Sequence, residues 1–378
     1  MTTQAVSGSE SSSLFTSFTQ SITECAQKTP IITRTIGIAC IIFGLGLGAF
    51  VISYPIPIAL RALMAIGSAL NFALAGAIYH FSRKAVQNVV GGPPNIASDT
   101  DSQRSYRVKI MKETLANLES RSYISPDGKK HALDVENTVK GIQLCHGPNE
   151  GVPDPRQGNK QTKVSIQNQD CLVVAKQLRD KGLKPFVIDM ANDKDCGGGY
   201  KTGASAQEED LFRRTTLSVI ASKEKTYYPL HQHSQAAGLY VPDVTVFRSN
   251  YNESYQYLNE PFQIGVGVIA AFRNPHIDNK KLGEPIRSHT RDKIRNFFGM
   301  AHQNGHKSVV FGAFGCGAFG NPPEDIAELA LDVIKREFKS CFDEIVFAVI
   351  DDKNTGKAHN PQGNFVPFQK AINAYNAK

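Results

Sequence analysis

From about residue 105 onward the chain alternates two kinds of segment, and this alternation restricts the fold more than any other feature. Short runs rich in β-branched and aromatic residues read as strands: "FVIDM" (186–190), "LYVPDVTVF" (239–247), "FQIGVGVIAAF" (262–272), "SVVFGAF" (308–314) and "EIVFAVI" (344–350). Between several of them lie stretches with apolar residues at helical spacing, such as "PEDIAELALDVIKREF" (323–338); "SYRVKIMKETLANLES" (105–120) precedes them all. Strands alternating with amphipathic helices predict an α/β layered domain.

Two glycine-rich loops follow predicted strands. After "FVIDMAN" comes "CGGGYKTGASAQEED" (196–210), a glycine triplet followed, after seven residues, by Gln207, Glu208 and Glu209. In α/β folds ligands sit at the carboxyl ends of strands. Gly197, Gly198 and Gly199 let backbone approach a ligand with no Cβ in the way. Taken alone, the triplet reads as a loop with no ligand. The acidic pair, taken alone, reads as a helix start favoured by the dipole. "AQEEDLFRRTTLSVI" does begin as a helix, and neighbouring helical residues do not share a face. One glutamate can therefore address a reacting atom while the other makes a different contact. A carboxyl group beside an anomeric carbon can protonate a leaving oxygen or stabilise an oxocarbenium-like transition state. The second loop, "GAFGCGAFGNPPED" (312–325), follows a strand and precedes a helix. Gly315, Gly317 and Gly320 can present backbone N–H groups to a diphosphate. The acidic partner of a dinucleotide-binding unit, about 20 positions on, is missing, which argues against a nicotinamide dehydrogenase.

Together, GGG, seven residues, QEE and the "GCGAFGNP" loop resemble the signature of poly(ADP-ribose) glycohydrolases, which are macrodomain enzymes. "YRVKIMKETL" and "GLYVPDVTVFR" are similar to segments of the microbial branch of that family. The resemblance runs from about residue 103 to the C-terminus. It implies a macrodomain-like three-layer α/β/α sandwich with a mixed sheet. It also implies a hydrolase that cleaves ribose–ribose O-glycosidic bonds of poly(ADP-ribose) to release ADP-ribose. By position, Glu209 is implied as the general acid/base and Glu208 as a contact to ribose hydroxyls. Gln207 is implied as support for the loop. Gly197 to Gly199, Asp189 and Asn192 are implied at the ligand, with Gly315, Cys316 and Gly317 under the diphosphate and Phe319 on the distal ribose. No metal or other cofactor is implied. The partners are poly(ADP-ribose) or ADP-ribosylated proteins. Two other readings use the same pocket: a non-catalytic ADP-ribose reader and a mono(ADP-ribosyl)-protein hydrolase. The second glutamate favours catalysis, because a reader has no need of it.

The N-terminal part is of another kind. Residues 1–30 are polar, rich in Ser and Thr, and are expected to be disordered. Residues 35–54 and 62–79 carry no charge and are separated by a break containing "PIPI". A spanning helix needs about 20 apolar residues, so residues 31–84 read as a two-helix transmembrane hairpin. Gly44 and Gly48 form a GxxxG step between such helices. A signal peptide fits poorly, since the first apolar run begins beyond residue 30 and lacks a basic leader. Arg34, Arg83 and Lys84 against Arg61 favour both ends in the cytosol. The arrangement resembles inclusion-membrane proteins of vacuole-dwelling bacteria. The expectation is a membrane protein with a bilayer partner through residues 35–81, a linker at 85–103 and a catalytic domain at 104–378 facing cytosol. The net charge of +7 comes with no long Lys/Arg run, so nucleic acid is not expected as the primary ligand. The seven cysteines are scattered, with no CxxC pair, and read as free thiols in a reducing compartment.

Overall fold

The computed structural model describes residues 99–147, 161–351 and 354–377, all within one compact unit, Pro94–Lys378. The strands are β1 (Ser122–Ile124), β2 (Lys130–Ala132), β3 (Gln143–Cys145), β4 (Lys163–Gln167), β5 (Pro185–Met190), β6 (Gly238–Arg248), β7 (Tyr257–Ile269), β8 (Ile277–Asp278), β9 (Lys281–Leu282), β10 (Ser308–Phe311) and β11 (Glu344–Ala348). Seven of them form one sheet in the order β3-β6-β7-β5-β10-β11-β4. Strands β7, β5, β10, β11 and β4 pair in parallel, while β6 is antiparallel to both of its neighbours. The sheet is therefore mixed, and β5 and β10 lie at its centre.

Side-chain alternation explains why both faces of this sheet are covered. Phe186, Ile188, Val309, Phe311, Ile345 and Phe347 point into one buried cluster, shared with the helices Ile286–Gln303, Pro323–Val333 and Phe365–Asn376. Val187, Val310 and Val346, their chain neighbours, point into a second cluster with the helices Cys171–Asp180 and Gln207–Arg214. Strands buried on both faces read as continuous apolar runs, as the central strands here do.

The helix Asp101–Glu119 begins with a capping box, in which Thr100 and Gln103 exchange side-chain and backbone hydrogen bonds. It packs near the loop that follows β5, and there it has a task. Arg104 Nε donates to Thr202 O at 2.7 Å and Arg107 Nε to Gly203 O at 2.6 Å.

The expected membrane location is corrected by the described residues. Among them, no helix is long and apolar enough to cross a membrane. The helices Asp101–Glu119 and Ile286–Gln303 have the length, 19 and 18 residues, but carry charges along it: Arg104, Arg107, Lys109 and Lys112 in one, Arg287, Arg291, Asp292, Lys293 and Arg295 in the other. The two apolar stretches on which the hairpin, its bilayer partner and the inclusion-membrane likeness rested lie outside the described residues.

Candidate active site

The carboxyl ends of β5, β7 and β10 meet at one edge of the sheet, and the loops that leave them carry both glycine motifs. Gln207 joins the glutamate helix to β5. Its Oε1 accepts from Met190 N at 2.9 Å and its Nε2 donates to Ile188 O at 2.6 Å. Gln207 thus completes the hydrogen bonding of the strand end, and it fixes where the next two residues stand.

Glu208 and Glu209 are 3% and 7% exposed, and they divide the contacts between them. Glu208 accepts with both oxygens: Oε2 from Asn192 N at 2.8 Å and Oε1 from Gly197 N at 2.9 Å. It therefore clamps the two ends of the turn that separates β5 from the triplet. Glu209 accepts from Gly199 N with Oε1 at 2.9 Å, and its Oε2 has no partner. One oxygen holds the carboxyl group in place and the other is left for chemistry.

The glycine triplet is required by this packing. Gly197 and Gly198 have φ of +78° and +52°, a region that side chains disfavour. A Cβ on Gly198 would lie 2.7 Å from Glu209 Oε1 and 3.1 Å from Glu208 Oε2. One on Gly197 would strike the Phe212 ring.

Asp189 is the third carboxyl group. It is fully buried at the end of β5 and both of its oxygens lack a partner. Burial, reinforced by the charge of Glu209, pushes its pKa well above the usual carboxylate range. The structure places it in the interior, within electrostatic reach of the two glutamates. Burial, then Asp189, also raise Glu208, against the lowering effect of its two amide donors. Asn192 uses Oδ1 within the loop, accepting from Lys194 N at 2.8 Å and Asp195 N at 3.2 Å. Burial pushes the neighbouring Cys196 thiol up, so it is held as an unreactive thiol.

A set of arginines that sequence reading did not single out holds this assembly. Arg214, fully buried, forks onto Asp170 at 2.7 and 2.9 Å and onto Asp210 at 2.7 Å. Asp170 also caps the helix Cys171–Asp180. Arg213 donates to Ala204 O at 2.8 Å and to Tyr255 Oη at 3.1 Å, and Tyr255 Oη donates to Asp210 at 2.6 Å. The i,i+4 spacing of Asp210 and Arg214 was a readable signal for one of these pairs.

On the other side of the cleft, Asn321 Nδ2 donates to Phe272 O at 2.8 Å and Gly315 O at 3.1 Å, shaping the loop after β10. Gly315 has φ of +73°, and a Cβ there would meet Ala271 and Asn321. Cys316 is buried, and its carbonyl is held by His359 Nε2 at 3.1 Å. Gly317 is half-buried. Phe319 is half-buried under Arg273, whose guanidinium lies 4.4 Å from the ring centroid. His231 pairs with Asp193, and His233 meets the Tyr227 carbonyl at 3.1 Å. Among the described residues no group of three or more His, Cys, Asp or Glu could hold a metal ion.

Residues 111–249 match the family model of the microbial-type poly(ADP-ribose) glycohydrolase catalytic domain. No curated protein matches the sequence. The poly(ADP-ribose) glycohydrolase of Thermomonospora curvata is 26% identical, with a TM-score of 0.60 over 72% of this chain and 100% of its own. The same protein bound to the inhibitor ADP-HPD aligns with a TM-score of 0.59 at 26% identity, over 71% of this chain and 99% of its own. The enzyme of Deinococcus radiodurans in complex with ADP-ribose shares the fold, at 24% identity and a TM-score of 0.54 over 65% of this chain and 99% of its own. With these likenesses and the paired glutamates, the chain is an enzyme, a glycosidase of the poly(ADP-ribose) glycohydrolase type.

Proposed function

We propose that this glycosidase hydrolyses the ribose–ribose O-glycosidic bonds of poly(ADP-ribose) and releases ADP-ribose, from a macrodomain-like three-layer domain spanning residues 104–378. The observation that carries the reading is the division of labour between adjacent glutamates. Glu208 has both oxygens on loop amides, whereas Glu209 has one oxygen anchored and one without a partner.

In this reading the ADP-ribose unit lies in the cleft between the two glycine loops, with its diphosphate on Gly315, Cys316 and Gly317. Phe319 packs on the distal ribose, and Asn192 and Gly197 to Gly199 line the sugar. Glu209, as the acid, gives its proton to the departing ribose oxygen while the anomeric C–O bond breaks. An oxocarbenium-like species forms, stabilised by the negative diphosphate. Glu209, now a carboxylate, takes a proton from water as the water oxygen bonds to the anomeric carbon. The proton returns to Glu209 and the cycle closes. Glu208 keeps the triplet in register through the two amides it accepts. Asp189, raised by burial, keeps its proton and adds no negative charge beside them.

Glu209→Gln tests the assignment. It preserves shape and the Gly199 contact and removes the titratable proton. Release of ADP-ribose from poly(ADP-ribose) should fall about a hundredfold or more, with ADP-ribose binding retained. Near-normal turnover by a folded variant would refute the role. Running a mono-modified protein beside the polymer, with free ADP-ribose as the readout, decides between chain and single-unit substrates. Binding without any release would leave an ADP-ribose reader.

A further inference from the structure

Among the described residues Lys293 is a cation without an ion-pair partner. It lies on the helix Ile286–Gln303 and is only 3% exposed. Among the described residues its ammonium makes no ion pair and no hydrogen bond; it lies over the Phe272 ring, 4.8 Å from Nζ to the centroid. Asp193 is the acid that acts on it electrostatically, but the Asp193 carboxylate is paired with His231. Burial consequently lowers the Lys293 pKa to about 8. A buried ammonium with no ion pair and no hydrogen bond is costly unless something completes it.

Its location says what would complete it. Phe272 lies in the loop that follows β7, its carbonyl bonded to Asn321 of the glycine loop after β10. The next residue, Arg273, covers Phe319. Asp193 follows Asn192, whose backbone N–H is bound by Glu208. Lys293 thus reaches towards the cleft from the sheet face opposite the glutamate helix, between the loops that follow β5 and β7.

We propose that Lys293 is a phosphate-binding group of this cleft, taking an anionic oxygen of an ADP-ribose unit that the glycine loops alone do not neutralise. The identity of the ligand rests on the glycohydrolase reading; the anion site itself does not. The oxygen belongs either to the diphosphate of the unit being released or to that of the neighbouring unit in the chain.

Calorimetry on the full chain with inorganic pyrophosphate, adenosine, ADP-ribose and a short ADP-ribose oligomer tests this, with Lys293→Met as the variant. The Met side chain fills the same space without a charge, so the melting temperature should be unchanged or higher. Pyrophosphate binding should be lost, adenosine binding unchanged, and affinity for the oligomer lowered about tenfold or more. An equal loss with ADP-ribose assigns the oxygen to the released unit; a loss with the oligomer alone assigns it to the neighbour. Unchanged binding of all the phosphate ligands overturns the proposal, as does an equal weakening of adenosine, which would mean a collapsed pocket. If wild type releases no ADP-ribose yet binds pyrophosphate through Lys293, the glycohydrolase reading fails and the anion site stands. Should Lys293→Met not fold, Lys293→Gln carries the same measurements, and failure of both to fold makes Lys293 structural and overturns the proposal.

Discussion

A single methyl group on Gly198 should separate the placement of the catalytic carboxyl group from the stability of the fold. Gly198 has φ of +52°, so Gly198→Ala puts an L side chain in the left-handed region, at about 1–2 kcal/mol. The new Cβ would begin 2.7 Å from Glu209 Oε1, against about 3.4 Å for ordinary contact. The carboxyl group, or the loop that carries Gly199, must therefore move by roughly 0.7 Å. Misplacement by about 1 Å can lower turnover about a hundredfold, so a loss of some ten- to hundredfold is expected. The control is Gly182→Ala. Gly182 has φ of +81° with nothing within 4 Å of its added Cβ, so it carries a similar backbone penalty and touches no carboxylate. Thermal melts of the two variants should fall by similar amounts, with somewhat more for Gly198→Ala. Release of ADP-ribose should be near wild type for Gly182→Ala and strongly reduced for Gly198→Ala. If both retain equal activity, the contact between the triplet and Glu209 does not set the catalytic geometry, and the argument for the triplet is wrong.

Arg214→Met removes a buried fork and leaves Asp170 and Asp210 facing each other; a loss of about 3–5 kcal/mol is expected in urea unfolding. For Asp189→Asn the sign follows from linkage: the folded pKa of Asp189 lies above its unfolded value, so its contribution is fully present below about pH 4 and is lost as pH rises towards the folded pKa. The variant should therefore gain stability relative to wild type between pH 4.5 and 7 in urea melts, and a constant difference would show that Asp189 is ionised in the fold. His306 runs the other way. Burial lowers it to about 4 from 6.5, so wild type should lose stability as pH falls through that window, by up to roughly 3 kcal/mol. His306→Asn should flatten the fall, and a profile identical to wild type would refute the assignment.

The parts of the site that the sequence made readable are those written in local pattern. The five runs of β-branched and aromatic residues became β5, β6, β7, β10 and β11, and both glycine motifs sit in loops that follow β5 and β10. The short strands β3 and β4 and the helices Cys171–Asp180, Ile286–Gln303 and Phe365–Asn376 were not singled out. Helix Ile286–Gln303 has basic residues scattered among its apolar ones, which blurs the stripe. Asp170 and Arg214, 44 residues apart, meet only because two helices share one face of the sheet. Nothing in the local pattern marks Lys293, since burial is a tertiary property. The membrane expectation came from residues 35–79, whose lack of charge is a local pattern too, and the described helices give it no counterpart.

Three carboxyl groups beside one another, two of them adjacent in sequence, pose an electrostatic problem that the backbone solves. At neutral pH, three buried negative charges within reach of one another would repel strongly. Burial and then Asp189 raise Glu208, although the Asn192 and Gly197 amides oppose that shift, while the Gly199 amide anchors one oxygen of Glu209. No donor reaches Asp189 among the described residues, so nothing offsets the burial that raises it. These contacts make the triplet more than a ligand surface. Its amides hold both glutamates in place, and they do so from a loop in which Gly197 and Gly198 have positive φ. The spacing from triplet to glutamates has its reason here as well. The short helical turn and bend at residues 200–206 bring the chain back, so that the first turn of the next helix meets the amides ten and eleven positions before it.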